Sequence, residues 1–104
     1  LIPQHAPLSA FPAVSRDLNL VVDESLRWAD LASTIRESGG DLLEQVTYQD
    51  VYRDTQRDGA GKKRLLFSIT LRSSETTLTN EQADELRDAI VAACGKQHAA
   101  SLLA

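Results

Sequence analysis

The segment Arg64-Leu65-Leu66-Phe67-Ser68-Ile69-Thr70-Leu71-Arg72 constrains the fold of this chain more than any other. Leu65, Phe67, Ile69 and Leu71 share one parity; Arg64, Leu66, Ser68, Thr70 and Arg72 share the other. Successive strand side chains point to opposite faces, so this alternation predicts a strand with one face in a core and one outward. Such a strand needs neighbours on its edges and a layer of structure over its apolar face. Leu18, Leu20 and Val22 alternate with Asp17, Asn19 and Val21 in the same way, predicting a first strand. Leu42 to Arg53 predicts another, with Val46, Tyr48, Asp50 and Tyr52 on one parity and Val51 on the other. That mixed pattern fits either a bulge or a strand apolar on both faces.

Two helical patterns supply the covering layer. Trp28, Leu31, Ala32 and Ile35 recur at helical spacing, predicting a helix over about residues 27–38, with Gly39-Gly40 stopping it through left-handed backbone angles. Thr79-Asn80-Glu81-Gln82 has the form of a capping box, and Leu78 and Ala83 are placed for a hydrophobic staple. Ala83, Leu86, Ile90 and Ala93 then form the buried stripe of a second helix ending near Gly95. Asp58-Gly59-Ala60-Gly61 is a turn, and Ala99 to Leu103 is long enough for a short last strand. The order βαββαβ predicts an α+β, ferredoxin-like sandwich: a four-stranded antiparallel sheet with two helices on one face. The other face is then left uncovered.

A chain of 104 residues, 42% hydrophobic, fills one core of two layers. The domain is expected over residues 11–104. Residues 1–10 lack the basic region and apolar core of a signal peptide, and are expected to be a linker from the preceding part of a longer chain. No apolar run of roughly 18 residues is present, so no membrane partner is expected. Cys94 stands alone, which excludes an internal disulfide and a cysteine-rich metal site and fits a cytoplasmic setting.

The net charge of −4 argues against indiscriminate nucleic-acid binding, but it is unevenly spread. Residues 23–50 carry −5 and residues 73–104 carry −3, whereas residues 51–72 carry +4 through Arg53, Arg57, Lys62, Lys63, Arg64 and Arg72. Positive charge is therefore concentrated in one hairpin, as either a solvated turn or a phosphate-facing patch.

No catalytic constellation is present. His5 and His98 have no nucleophile or paired carboxylate beside them in the pattern, and read as surface histidines; Cys94 lies on the apolar face of the second helix as a buried structural thiol. Asp58-Gly59-Ala60-Gly61-Lys62-Lys63 lacks the spacing of a phosphate loop and leads into a strand rather than a helix. Asp23-Glu24-Ser25, following the first strand, would repel a phosphate. Among the aromatics, Trp28 and Phe67 sit at core positions. Tyr52, beside Arg53, is either a stacking platform for a base or a core-edge tyrosine.

Four ordered segments carry a family resemblance. They are Phe11-Pro12 with Arg16-Asp17-Leu18 and Val21-Val22-Asp23; Ile35-Arg36-Glu37-Ser38-Gly39-Gly40-Asp41-Leu42-Leu43-Glu44; Asp50-Val51-Tyr52-Arg53 with Gly61-Lys62-Lys63; and Ser68-Ile69-Thr70-Leu71-Arg72 leading to Thr77-Leu78-Thr79-Asn80-Glu81. From about Leu8 onward the chain resembles the ferredoxin-fold anticodon-binding domain that closes bacterial phenylalanyl-tRNA synthetase beta subunits. The resemblance implies binding of the phenylalanine tRNA anticodon stem-loop on the open sheet face. By position, Tyr52 would stack on an anticodon base and Asp50 would accept hydrogen bonds from a guanine edge. Lys62, Lys63 and Arg64 would neutralise phosphate, with Arg53 beside Tyr52 and Asn19 lining the same surface. Arg64 stands where a small residue, often serine, is common, and Asn19 where alanine is common. Arg64 would either add a polar contact to the loop or pair with Asp50. Arg16 and Asp17 are expected to fix the start of the first strand. The resemblance also implies a two-alpha, two-beta parent enzyme, whose alpha subunit carries out aminoacylation with ATP and magnesium. No cofactor is expected in this domain. The alternative function is a ferredoxin-like protein–protein interaction module.

Overall fold

The strictly alternating segment lies inside the sheet. In the computed structural model, which describes residues 11–103, it forms most of β3 (Lys62–Leu71). β3 pairs antiparallel with β1 (Val14–Asp23) on one side and β2 (Leu43–Tyr52) on the other. A two-residue β4 (Ser101–Leu102) adds to the far edge of β1 through Leu20 and Val21, giving the order β2-β3-β1-β4. The helices are α1 (Trp28–Gly39), a single turn α2 (Thr55–Asp58) and α3 (Asn80–His98). The expected ferredoxin-like architecture is present. The linker expected over residues 1–10, and His5 within it, lie outside the described residues.

The core sits between the sheet and the two long helices. Leu18, Leu20 and Val22 from β1 and Leu65, Phe67, Ile69 and Leu71 from β3 meet Leu31 and Ile35 of α1 and Ala83, Ile90 and Cys94 of α3. Trp28 closes one end, with its ring 5.4 Å from Phe67 and 5.3 Å from Tyr48, centroid to centroid. Arg16 points to the helix side, where its Nε donates to Asp84 Oδ1 at 3.1 Å and its Nη2 to Asn80 Oδ1 at 3.3 Å. The start of β1 is thereby tied to α3, while Asp17 faces the opposite side of the sheet. Thr79 and Gln82 form the expected capping box.

The mixed pattern of β2 resolves as bulges. Its register on β3 shifts between Leu43 and Gln45 and again between Tyr48 and Asp50. Tyr48 lies opposite Phe67 and so faces the helices; the extra residue, Gln49, reverses the parity. Asp50 then lies opposite Leu66, and Tyr52 opposite Arg64.

Two helix ends and one side chain differ from expectation for identifiable reasons. Gly39 has φ −78°, and of the two only Gly40 has a positive φ, at 60°. Gly39 is needed for space: a Cβ there would stand 2.6 Å from Leu43 Cδ2. α3 runs through Gly95 to His98, and the left-handed residue that ends it is Ala99, at φ 55°. The amides of Ala99 and Ala100 turn back onto the carbonyls of Gly95 and Cys94, and the missing side chain of Gly95 lets the chain return at Ala100. His98 is half-buried rather than a free surface group; its Nε2 lies 2.7 Å from Thr34 Oγ1 and links α3 to α1.

Candidate nucleic-acid interface

The helices leave one sheet face open, and the strand registers fix which side chains share it. Residues directly opposite on neighbouring strands point the same way. The first row across β1, β3 and β2 is Asn19, Leu66, Asp50, and the next is Val21, Arg64, Tyr52. Further rows are Asp17, Ser68, Thr47 and then Ser15, Thr70, Gln45. Strands lie about 4.8 Å apart, so the Asn19 and Asp50 backbones are about 10 Å apart with Leu66 between them. That span suits a planar base lying on an apolar side chain between two polar ones.

Tyr52 is 53% exposed at the edge of this face. Asp50 is exposed, and its Oδ1 accepts from the Val51 amide at 2.8 Å, which orients the carboxylate. Asn19 is half-buried, and its Oδ1 is the single buried side-chain polar atom without a hydrogen-bond partner among the described residues. Unpaired acceptors of this kind are rare in a folded domain.

The basic residues are held differently from the free phosphate patch that their clustering suggests. Arg53 donates through Nε and Nη2 to the two carboxylate oxygens of Glu24, at 2.5 and 2.7 Å. Lys62 Nζ lies 2.7 Å from Asp23 Oδ1, and Lys63 Nζ lies 3.8 Å from Glu24 Oε2. Lys62 shares the open face, whereas Lys63 lies opposite Val22 and belongs to the helix side. Arg64 is buried, and its partner is not Asp50. Its Nε and Nη2 donate to the two oxygens of Asp58, at 2.6 and 3.1 Å, with Asp54 3.7 Å from Nη2. The guanidinium carbon stands 5.4 Å from the centre of the Tyr52 ring.

These pairs set the local electrostatics. The hydrogen bond from Arg64 holds the Asp58 carboxyl below the usual carboxylate range and raises Arg64 in turn. The hydrogen bond from Arg53 does the same to Glu24. Cys94 is buried far from this face, and burial pushes its thiol up to about 11. Among the described residues, no group of histidine, cysteine, aspartate and glutamate could hold a metal ion, and no helix is long and apolar enough to cross a membrane.

Tyr52, Asp50, Asn19, Arg64 and Lys62 are thus brought to one face; Arg53 caps its edge and Lys63 lies behind it. Sequence reasoning missed the carboxylates Asp23, Glu24, Asp54 and Asp58 that engage the cations. The signal for one was present: Asp54, three residues before Arg57, caps α2 by accepting the Arg57 amide at 3.2 Å.

The geometry defines a class: a ferredoxin-like α+β domain whose uncovered sheet face carries an exposed tyrosine beside hydrogen-bonding side chains. The chain belongs to the ferredoxin-fold anticodon binding domain family, whose model matches residues 9–103. It is similar to the phenylalanine–tRNA ligase beta subunit of Rhodopirellula baltica, with 45% identity over 99% of this chain and 15% of that one. The corresponding subunit of Shouchella clausii is 45% identical over 90% of this chain and 12% of its own. That of Methylococcus capsulatus is 42% identical over 97% and 13%. The chain therefore spans 15% or less of the length of these relatives.

Proposed function

We propose that this chain is the anticodon-reading domain of a phenylalanine–tRNA ligase beta subunit, and that its open sheet face binds the anticodon stem-loop of phenylalanine tRNA. The observation that carries the reading is Tyr52, more than half exposed, on the same uncovered face as Asp50. Tyr52 offers a flat apolar surface for a base. Asp50 offers two acceptor oxygens, which suit the adjacent donors on the Watson–Crick edge of guanine. The parent enzyme is a cytoplasmic two-alpha, two-beta assembly that charges the tRNA with ATP and magnesium on the alpha subunit; this domain adds affinity and checks identity at a distance.

The test is a titration of the isotope-labelled chain with a synthetic phenylalanine anticodon stem-loop. Amide shifts are expected at Asn19, Asp50, Tyr52 and Arg64. Stacking of a base on an aromatic is worth roughly 1–3 kcal/mol, so Tyr52→Ala should weaken binding by roughly 5- to 150-fold with the fold intact. Shifts confined to the helical face, or none at millimolar RNA, refute the reading.

A further inference from the structure

Arg64 is an unusual occupant of an open sheet face. It is only 8% exposed, and its carboxylate partner Asp58 is buried to the same degree at the side chain. Removing a charge pair from water carries a desolvation penalty, and an apolar pair of similar volume would often stabilise a fold as well or better. Val21 and Leu66 are its neighbours on the same face, so apolar packing at that point is available. Stability alone therefore does not account for the ion pair.

The surrounding chain is built to hold it. α2 is one turn, capped by the Asp54 carboxylate. Gly59 and Gly61, at φ 93° and 79°, then bring the chain back into β3. This turn carries Asp58 onto the sheet face, where its two oxygens engage Nε and Nη2 in a fork-to-fork pair. With the guanidinium plane fixed, the cation lies within stacking range of the Tyr52 ring. One side of that ring is occupied, yet the residue remains more than half exposed.

We propose that Arg64 is a positioning residue for Tyr52 rather than a phosphate contact: Asp58 fixes the guanidinium against the phenol ring, and the opposite face of the ring receives a nucleobase. This rests on the anticodon-reading function and specifies how its platform is held. A ring held in its bound orientation loses less entropy on stacking than a free one. The charge of Arg64, already matched by Asp58, releases no counterion from the RNA.

The experiment measures binding of the synthetic phenylalanine anticodon stem-loop to the chain across a salt series. The variants are Arg64→Ala, Arg64→Lys, Asp58→Asn and Tyr52→Ala, each checked for its amide spectrum. Arg64→Ala should weaken binding about two- to fivefold, the range of a cation–π contact, and leave the salt slope unchanged. A phosphate contact would instead lower that slope by roughly 0.7–0.9. Asp58→Asn gives the opposing signs. Loss of a negative charge tightens binding to a polyanion at low salt; at high salt, where that effect is screened, the disengaged clamp should leave binding weakened about two- to fivefold. Arg64→Lys keeps the charge without the fork and should behave like Arg64→Ala. In a Tyr52→Ala background at high salt, the Arg64 and Asp58 changes should have no further effect. Tighter binding by Asp58→Asn at high salt, a reduced salt slope for Arg64→Ala, or additivity with Tyr52→Ala at high salt overturns the clamp while leaving anticodon reading in place. A wild-type chain that does not bind, or a neutral Tyr52→Ala, refutes anticodon reading itself and the clamp with it.

Discussion

Removing one particular carboxylate should strengthen RNA binding. At the hairpin end of the sheet, Arg53, Arg57, Lys62, Lys63 and Arg64 gather against Asp23, Glu24, Asp54 and Asp58. Arg53, Lys62, Lys63 and Arg64 are each held by a carboxylate, whereas Arg57 makes no ion pair among the described residues and is the cation left for a phosphate. The wild-type chain should therefore bind a stem-loop with a shallow salt slope, about 0.7–0.9 in log K against log salt. Glu24 holds two cations at once, Arg53 through both its oxygens and Lys63 at 3.8 Å. Glu24→Gln keeps the shape and an acceptor for Arg53 but removes the charge. Each cation released to a phosphate adds roughly 0.7 to the slope for single-stranded RNA, a factor of about 5 in affinity at 0.1 M salt. Lys63 lies on the helix side, so the cation freed toward the RNA is Arg53, and binding should tighten by roughly 5-fold with the slope rising to about 1.5. Fluorescence anisotropy of a labelled stem-loop across a salt series measures both quantities, with Trp28 emission as the fold control. An unchanged slope with unchanged affinity would refute the reasoning, because it would place Arg53 away from the RNA backbone.

Gly39→Ala should destabilise the domain by about 1 kcal/mol in urea denaturation. The helix-propensity gain of about 1 kcal/mol is outweighed by the clash of the new Cβ with Leu43, 2.7 Å from its Cβ, where overpacking costs roughly 1–3 kcal/mol. A stabilised variant would show that β2 can shift. Ala99→Gly should have the opposite sign, a gain of about 0.5–1 kcal/mol, because it relieves a left-handed alanine at the end of α3; unchanged stability would remove strain from that cap. Burial raises the Cys94 thiol from its ordinary 9.0 to about 11, so its contribution to stability is complete below pH 9 and is lost as pH rises through 11. The loss should reach about 3 kcal/mol at the upper end and be missing from Cys94→Ala, as alkaline denaturation series of the two proteins will show.

The fold was legible in the sequence because it is written in local periods. The alternation in β3 and β1, the helical spacing from Trp28 to Ile35 and the capping box at Thr79 each depend on residues within a turn or two. A polar side chain on the wrong face there would be buried, so hydropathy alone specifies the arrangement. The bulge at Gln49 was visible as a conflict in the β2 pattern, and its resolution needed the partner strand, since parity has meaning only against a register.

The partnerships of the candidate site were not legible, and the reason is distance along the chain. Asn19, Asp50, Tyr52, Lys62 and Arg64 could be named one by one from sequence and family resemblance. What each cation is bound to could not. Glu24 reaches Arg53 from 29 residues away and Asp23 reaches Lys62 from 39, because the turn after β1 folds beside the end of the β2–β3 hairpin. A charge run counted along the sequence is a sum over neighbours in the chain, while the field at a surface is a sum over neighbours in space. By itself the sequence determined the sheet, the helices and the family; tertiary structure decided that the basic hairpin is nearly neutral and that Arg64 lies beside Tyr52 in the grip of Asp58.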